Sequence, residues 1–231
     1  MNLLAPHWSP RHRMKDKMYR LYARAGWGSV LVETQLAWYG LKYQLETVGD
    51  LFKEPQARDR LASVNPIAQI PTLILPDGAV MTESAAITLL LADITTRDDL
   101  APGAGAPERA RFLRWLIFMV ANIYPTFTYG DDPARFVDVG RSALRARVDA
   151  YAQRLWGVLE AEAAEPWFLG GRFSAIDIFI AAMTQWRPQR PWFDAHAPKL
   201  AAIATGADAL PQLASVWVRN FPPQAEPQSA G

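Results

Sequence analysis

Eight residues near the middle of the chain, Leu100-Ala101-Pro102-Gly103-Ala104-Gly105-Ala106-Pro107, hold two prolines, two glycines and no periodic apolar positions. The two sides of this stretch follow different patterns. Before it, short β-rich runs alternate with helical stripes; after it, only helical spacing is found. A period that changes once, across a Pro/Gly/Ala-rich segment, argues for two units joined by a linker. A length of 231 residues also suits two modest cores better than one. The reading is therefore a loose basic arm at 1–17, a first unit at 18–96, a linker at 97–106, a second unit at 107–222 and a tail at 223–231.

Within the first unit, Met18–Tyr22 alternates and is rich in aromatics, the pattern of a strand. Gly26 and Gly28 break it, Ser29 stands at a helix N-cap position, and Val32, Leu36 and Tyr39 recur at helical spacing before Gly40. Lys42–Val48 suits a second strand, and 54–64 an irregular helix behind Pro55. After the turn signal Asn65-Pro66, the runs Ile70–Leu75 and Ala79–Met81 flank Pro76-Asp77-Gly78 and form an expected antiparallel hairpin. Thr82-Glu83-Ser84 then opens a helix carrying Ile87, Leu90 and Leu91. The order is βαβαββα, and the fold class is α+β: this unit followed by an all-α one. Beyond the linker, Phe112, Trp115, Leu116, Met119, Val120 and Ile123 make an amphipathic stripe that Pro125 is expected to bend, and Ala134 to about Ala164 repeats the pattern.

Composition removes several chemistries. The chain has no cysteine, which excludes disulfides, thiolate metal sites and a catalytic thiol of its own. Two of its three histidines, His7 and His12, lie in the arm, so neither a histidine metal site nor a Ser-His-Asp triad is expected, and no metal is assigned. The arm holds four Lys/Arg and one acidic residue, leaving 20 basic against 22 acidic residues, a balance unsuited to nucleic acid. No apolar run approaches the roughly 18 to 20 residues of a membrane helix, and the arm lacks the apolar core of a secretory signal. The cytoplasm is the expected location.

Three spaced blocks then carry a resemblance. Asn65-Pro66-Ile67-Ala68-Gln69-Ile70-Pro71-Thr72-Leu73, the Pro76-Asp77-Gly78 turn and Thr82-Glu83-Ser84-Ala85-Ala86-Ile87 resemble the glutathione-binding half of a cytosolic glutathione S-transferase. Phe168-Leu169-Gly170-Gly171-Arg172-Phe173-Ser174-Ala175-Ile176-Asp177 resembles the capping segment of that family's helical half. The resemblance covers nearly all of the chain after residue 17 and implies a thioredoxin-like first domain. It also implies a cis Ile70–Pro71 bond that turns the Ile70 N–H and C=O toward glutathione's cysteinyl backbone, with Gln69, Ile70 and Pro71 as binding residues. By the same resemblance, Ser84 and the start of its helix hold the γ-glutamyl carboxylate, and Glu83 lies by the ammonium group. Ser174 and Asp177 form a near capping box with a structural role.

Members of the family hold glutathione's sulfur as a thiolate with a Tyr, Ser or Cys near the start of the first helix. Here that loop is Arg24-Ala25-Gly26-Trp27-Gly28-Ser29: Trp27 stands where many members carry serine, and Gly28 where others carry cysteine. Ser29 is the candidate catalytic hydroxyl, with helix capping as its alternative role; Tyr22, the Trp27 indole and the Gly28 and Ser29 backbone amides are further candidates. The second substrate is expected against Trp27, Tyr124 and Phe127, a lining that favours apolar or aromatic electrophiles. Resemblance implies a homodimer, with glutathione as co-substrate. Activities needing an enzyme thiol are excluded, whereas conjugation, peroxide reduction and ether cleavage remain open. The alternative is a non-catalytic module of the same fold that binds ligands or proteins.

Overall fold

A computed structural model describes residues 17–223. Apart from Lys17 and Pro223, the arm expected at 1–17 and the tail at 223–231 lie outside the described residues. The first half runs β1 (Tyr19–Ala23), α1 (Val30–Trp38), β2 (Tyr43–Thr47), α2 (Pro55–Ala62), β3 (Thr72–Ile74), β4 (Val80–Met81) and α3 (Ser84–Thr95). This is the expected βαβαββα order. The sheet order is β2-β1-β3-β4, with β1 and β2 parallel and the remaining pairs antiparallel. Alternation along β1 buries Tyr19, Leu21 and Ala23, so one face of the sheet meets α1 and α3. A smaller cluster of Val48, Leu51, Ala57, Leu61, Ala68 and Ile70 packs around α2.

Residues 97–106 contain neither helix nor strand. They are not a free tether, however. Leu100 is fully buried in the main core, and its carbonyl accepts a hydrogen bond from Ala175 N–H at 2.8 Å. The apolar Leu100-Ala101 pair, embedded among prolines and glycines, thus pins the connection to the helical half.

The second half is helical: α4 (Arg109–Phe118), α5 (Tyr124–Asp131), α6 (Arg141–Glu162), α7 (Ala175–Met183), α8 (Arg190–His196), α9 (Pro198–Asp208) and α10 (Ala214–Asn220). The expected long stripe is real, but it does not bend at a simple kink. Met119–Ile123 winds as one π-helical turn between α4 and α5, immediately before Tyr124-Pro125. Proline has no N–H for the preceding turn, and a widened turn absorbs that loss. The second stripe also starts later than expected. A 3-10 turn at Pro133–Arg135 comes first, and α6 begins at Arg141 with its first two turns largely exposed.

Every residue of α7 is buried. Its start carries the capping box anticipated at Ser174 and Asp177, whose carboxylate also accepts the Phe168 N–H at 2.7 Å. Burial pushes the Asp177 carboxyl up to about 6, against the lowering effect of those hydrogen bonds. Helix α1 is enclosed as well: all seven residues from Val30 to Leu36 are buried, polar ones included. Thr34 bonds the Val30 carbonyl at 2.6 Å, and Gln35 bonds Thr88 at 2.9 Å. Helix α3 packs on α1 from the first half, while α7 and α10 pack on it from the second. The first helix is therefore held between the two halves of the molecule, and its N-terminus faces the cleft described next.

Candidate functional site

Two cavities meet beside the start of α1. The first, of about 270 Å³, is lined by Gln69, Ile70, Pro71, Thr82, Glu83 and Ser84 from the first half and by Val120, Tyr124, Pro125, Thr128 and Tyr129 from the second. All five residues expected to bind glutathione are brought together here. The Ile70–Pro71 bond is cis. Asn65, buried, braces the loop: its Nδ2 donates to the Gln69 carbonyl and to Thr72 Oγ1, both at 3.0 Å, and Thr72 donates to the same carbonyl at 2.7 Å. With that carbonyl satisfied inside the loop, Ile70 N–H and C=O have no hydrogen-bond partner among the described residues.

Glu83 precedes α3 with φ of 64° and ψ of 103°, a conformation that costs a non-glycine residue of order 1–3 kcal/mol. No side chain caps α3. The first N–H groups of the helix are therefore left without a side-chain acceptor, and Ser84 lines the cavity, where an anion would satisfy them.

The second cavity, of about 430 Å³, is lined by Trp27, Gly28, Phe52, Tyr124, Phe127, Thr128 and Trp186, with Asp131, Arg145 and Arg187 at its polar side. It contains all three residues expected to contact a second substrate. Trp27 packs on Phe52 with ring centroids 4.9 Å apart, and Arg24 lies over Trp27 at 5.2 Å. Tyr124, Phe127 and Trp186 form an edge-to-face trio with centroid separations of 5.0–6.2 Å. Arg187 pairs with Asp131 at 2.9 Å and with Asp149, so carboxylates rather than aromatic faces neutralise it.

Ser29 departs from expectation. It is fully buried, its hydroxyl both accepts from Arg24 N–H and donates to the Arg24 carbonyl at 3.2 Å, and it lines neither cavity. It makes no side-chain cap to α1 either. The hydroxyl closes the Arg24–Ser29 loop on itself, and a group so committed does not reach a sulfur in the cleft. Tyr22 packs against the small cluster around α2 and borders a separate hollow with Glu46 and Thr47. Trp115 and Met119, on the amphipathic stripe that leads to Tyr124, belong to the core. At the start of α1, the Gly28 and Ser29 N–H groups have no backbone acceptor among the described residues.

Sequence reasoning missed what holds this loop. Gly26, at φ of 74°, takes a conformation that suits glycine. Its N–H donates to Asn220 Oδ1 at 3.2 Å and its C=O accepts from Trp186 Nε1 at 2.7 Å. Asn220 in turn donates to the buried Glu33 carboxylate on α1 at 2.9 Å, which also receives Arg219. Two segments of the helical half, 160 and 194 residues downstream, thus grip this loop, and no local pattern could announce the contact.

Comparison with known proteins identifies relatives of the whole fold. The glutathione S-transferase N-terminal domain family matches residues 32–94. The uncharacterized GST-like protein YncG of Escherichia coli (strain K12) is 37% identical over 204 residues, 88% of this chain and 98% of that protein. Glutathione S-transferase GstA of Escherichia coli O157:H7 is 29% identical over 171 residues, 72% of this chain and 81% of that protein. A glutathione transferase homolog from Sulfitobacter, solved with bound glutathione, superposes with a TM-score of 0.75 at 22% identity, covering 86% of this chain and 96% of that one, and shares the fold.

Proposed function

Because the chain belongs to the glutathione S-transferase family, we propose that it conjugates the sulfur of glutathione to hydrophobic, aromatic electrophiles. One observation carries the reading: a single cavity gathers an unpaired Ile70 backbone and an uncapped start of α3, two fittings for a γ-glutamyl peptide. Ile70 N–H and C=O pair with the cysteinyl backbone in the manner of an added strand. Ser84 and the first N–H groups of α3 take the γ-glutamyl α-carboxylate, Glu83 faces its ammonium group, and Gln69 and Pro71 wall the tripeptide. Binding of glutathione by the Sulfitobacter homolog supports the assignment.

So placed, the sulfur emerges beside Gly28, where the Gly28 and Ser29 amides and the positive end of α1 favour its anion. The thiol proton passes to water, the thiolate attacks the electrophilic carbon, a carbon–sulfur bond forms, and the leaving group departs with its electron pair. Trp27, Phe127 and Tyr124 wall the electrophile and exclude water. With no cysteine of its own, the chain uses only the ligand's thiol. The cytoplasm, with its reduced glutathione pool, is the matching location, and the family's usual homodimer is the proposed working unit.

Calorimetric titration with glutathione, followed by a conjugation assay with an aromatic halide, tests the proposal. Expected is micromolar to low-millimolar binding with turnover. Binding without turnover of any electrophile would favour the ligand-carrying alternative, and no binding would remove glutathione from the account.

A further inference from the structure

The loop that precedes α1 offers no free hydroxyl to a bound thiolate, yet a hydroxyl stands at that place. Tyr124, from the helical half, is common to the glutathione cavity, the aromatic cleft and a smaller hollow of about 90 Å³ that joins them along Gly28, Ile67 and Ile70. Its Oη lies directly over Gly28. A Cβ added there would collide with it and would stand 3.0 Å from Tyr124 Cζ and 3.2 Å from the Ile70 carbonyl oxygen. The phenol, the backbone that receives the cysteinyl unit and the start of α1 therefore converge on one small volume.

Resting on the glutathione assignment made above, we propose that Tyr124 is a catalytic residue whose hydroxyl donates a hydrogen bond to glutathione's sulfur. Three further observations support it. The hydroxyl has no hydrogen-bond partner among the described residues, so its donor capacity is uncommitted. Burial, followed by the nearby Asp131 and Glu83 carboxylates, raises the phenol above its ordinary range, so it keeps its proton and acts as a donor rather than a base. Its ring is fixed edge-on against Phe127 at 85° and Trp186 at 90°, and it follows directly on the π-helical turn.

The same geometry explains Gly28. A side chain at that position would occupy the space of the phenol, so the glycine and the tyrosine are one device: the small residue opens the loop, and the helical half supplies the hydroxyl. No proton is transferred to or from Tyr124. The thiol proton goes to water, and the phenol only stabilises the anion left behind.

The test is a pH titration of thiolate absorbance in the glutathione complex, run on the wild type, Tyr124→Phe and Gly28→Ala, with glutathione affinity measured by calorimetry on each. Tyr124→Phe keeps the ring and the fold. It is expected to bind glutathione within about threefold of wild type while the thiolate pKa rises about one unit, with a roughly tenfold loss of kcat/KM near neutrality that disappears at high pH. Gly28→Ala, which displaces the phenol, is expected to raise the same pKa with Tyr124 still present. A Tyr124→Phe protein that binds glutathione with an unshifted thiolate pKa, and differs only in electrophile KM, would reduce Tyr124 to a wall of the cleft and overturn the inference. Absence of glutathione binding by the wild type would instead overturn the function proposed above, and this inference with it.

Discussion

The cavity around Ser84 and the aromatic cleft beside Trp27 share Tyr124 and Thr128, but they are built from different materials. The first offers unpaired backbone: the Ile70 amide and carbonyl, and the N–H groups at the start of α3, set in place by the Asn65 brace and the unusual Glu83 conformation. The second is made of side chains, with Trp27 and Phe52 from the first half meeting Phe127 and Trp186 from the second. A backbone site needs a few residues close together in sequence and admits one shape of ligand. A side-chain site can be resurfaced without disturbing the fold, which suits a constant co-substrate on one side and a variable electrophile on the other.

If that division holds, the largest effect falls on the backbone-built side. Ser84→Ala removes a hydrogen bond to a charged carboxylate and is expected to weaken glutathione binding about ten- to hundredfold, with melting temperature nearly unchanged; calorimetry and a thermal melt read the two together. Equal binding by the variant would move the carboxylate away from α3. Asn65→Ala should do less to binding, about tenfold, but should also cost roughly 1–3 kcal/mol of stability because buried partners lose their donor. Parallel denaturant curves would show whether brace and site fail together.

On the cleft side, Phe52 is partly exposed and, among the described residues, its one aromatic partner is Trp27. Phe52→Ala is expected to raise KM for an aromatic electrophile about fivefold, from the loss of about 1 kcal/mol of stacking, and to leave glutathione affinity alone. A matching loss of glutathione affinity would break the comparison. A control on stability alone lies outside both cavities. Asp177 titrates near pH 6 in the folded protein against 3.8 for the free group. The folded state holds this proton more tightly, so the stabilisation is complete below about pH 4 and is lost as pH rises through 6. Thermal melts across that window should show a downward slope with rising pH that Asp177→Asn flattens, whatever it does to the mean melting temperature.

Much of this division was legible in the residues themselves. The Asn65–Thr72 run, the Pro76-Asp77-Gly78 turn and Thr82-Glu83-Ser84 each act over a few residues, so their geometry follows from local backbone preference and the fold order follows from their spacing. The boundaries shifted by a residue or two for ordinary reasons, and α6 began late because Pro133 first imposed a tighter turn. The failures were of another kind. Ser29 is a plausible cap or donor by position, but the closure of its loop on Arg24 turned its hydroxyl inward.

By itself, then, the sequence determined the βαβαββα half, the helical half and the absence of an enzyme thiol, because periodicity, turn chemistry and composition act locally; the residues proposed for the backbone site came from the resemblance to a known family. Tertiary structure alone decided that α1 is enclosed on all sides, that Asn220 and Trp186 hold Gly26, and that a phenol from α5 stands over Gly28. Those contacts join residues far apart in the chain, and their geometry is set by how two packed halves meet, a quantity that no window of sequence contains.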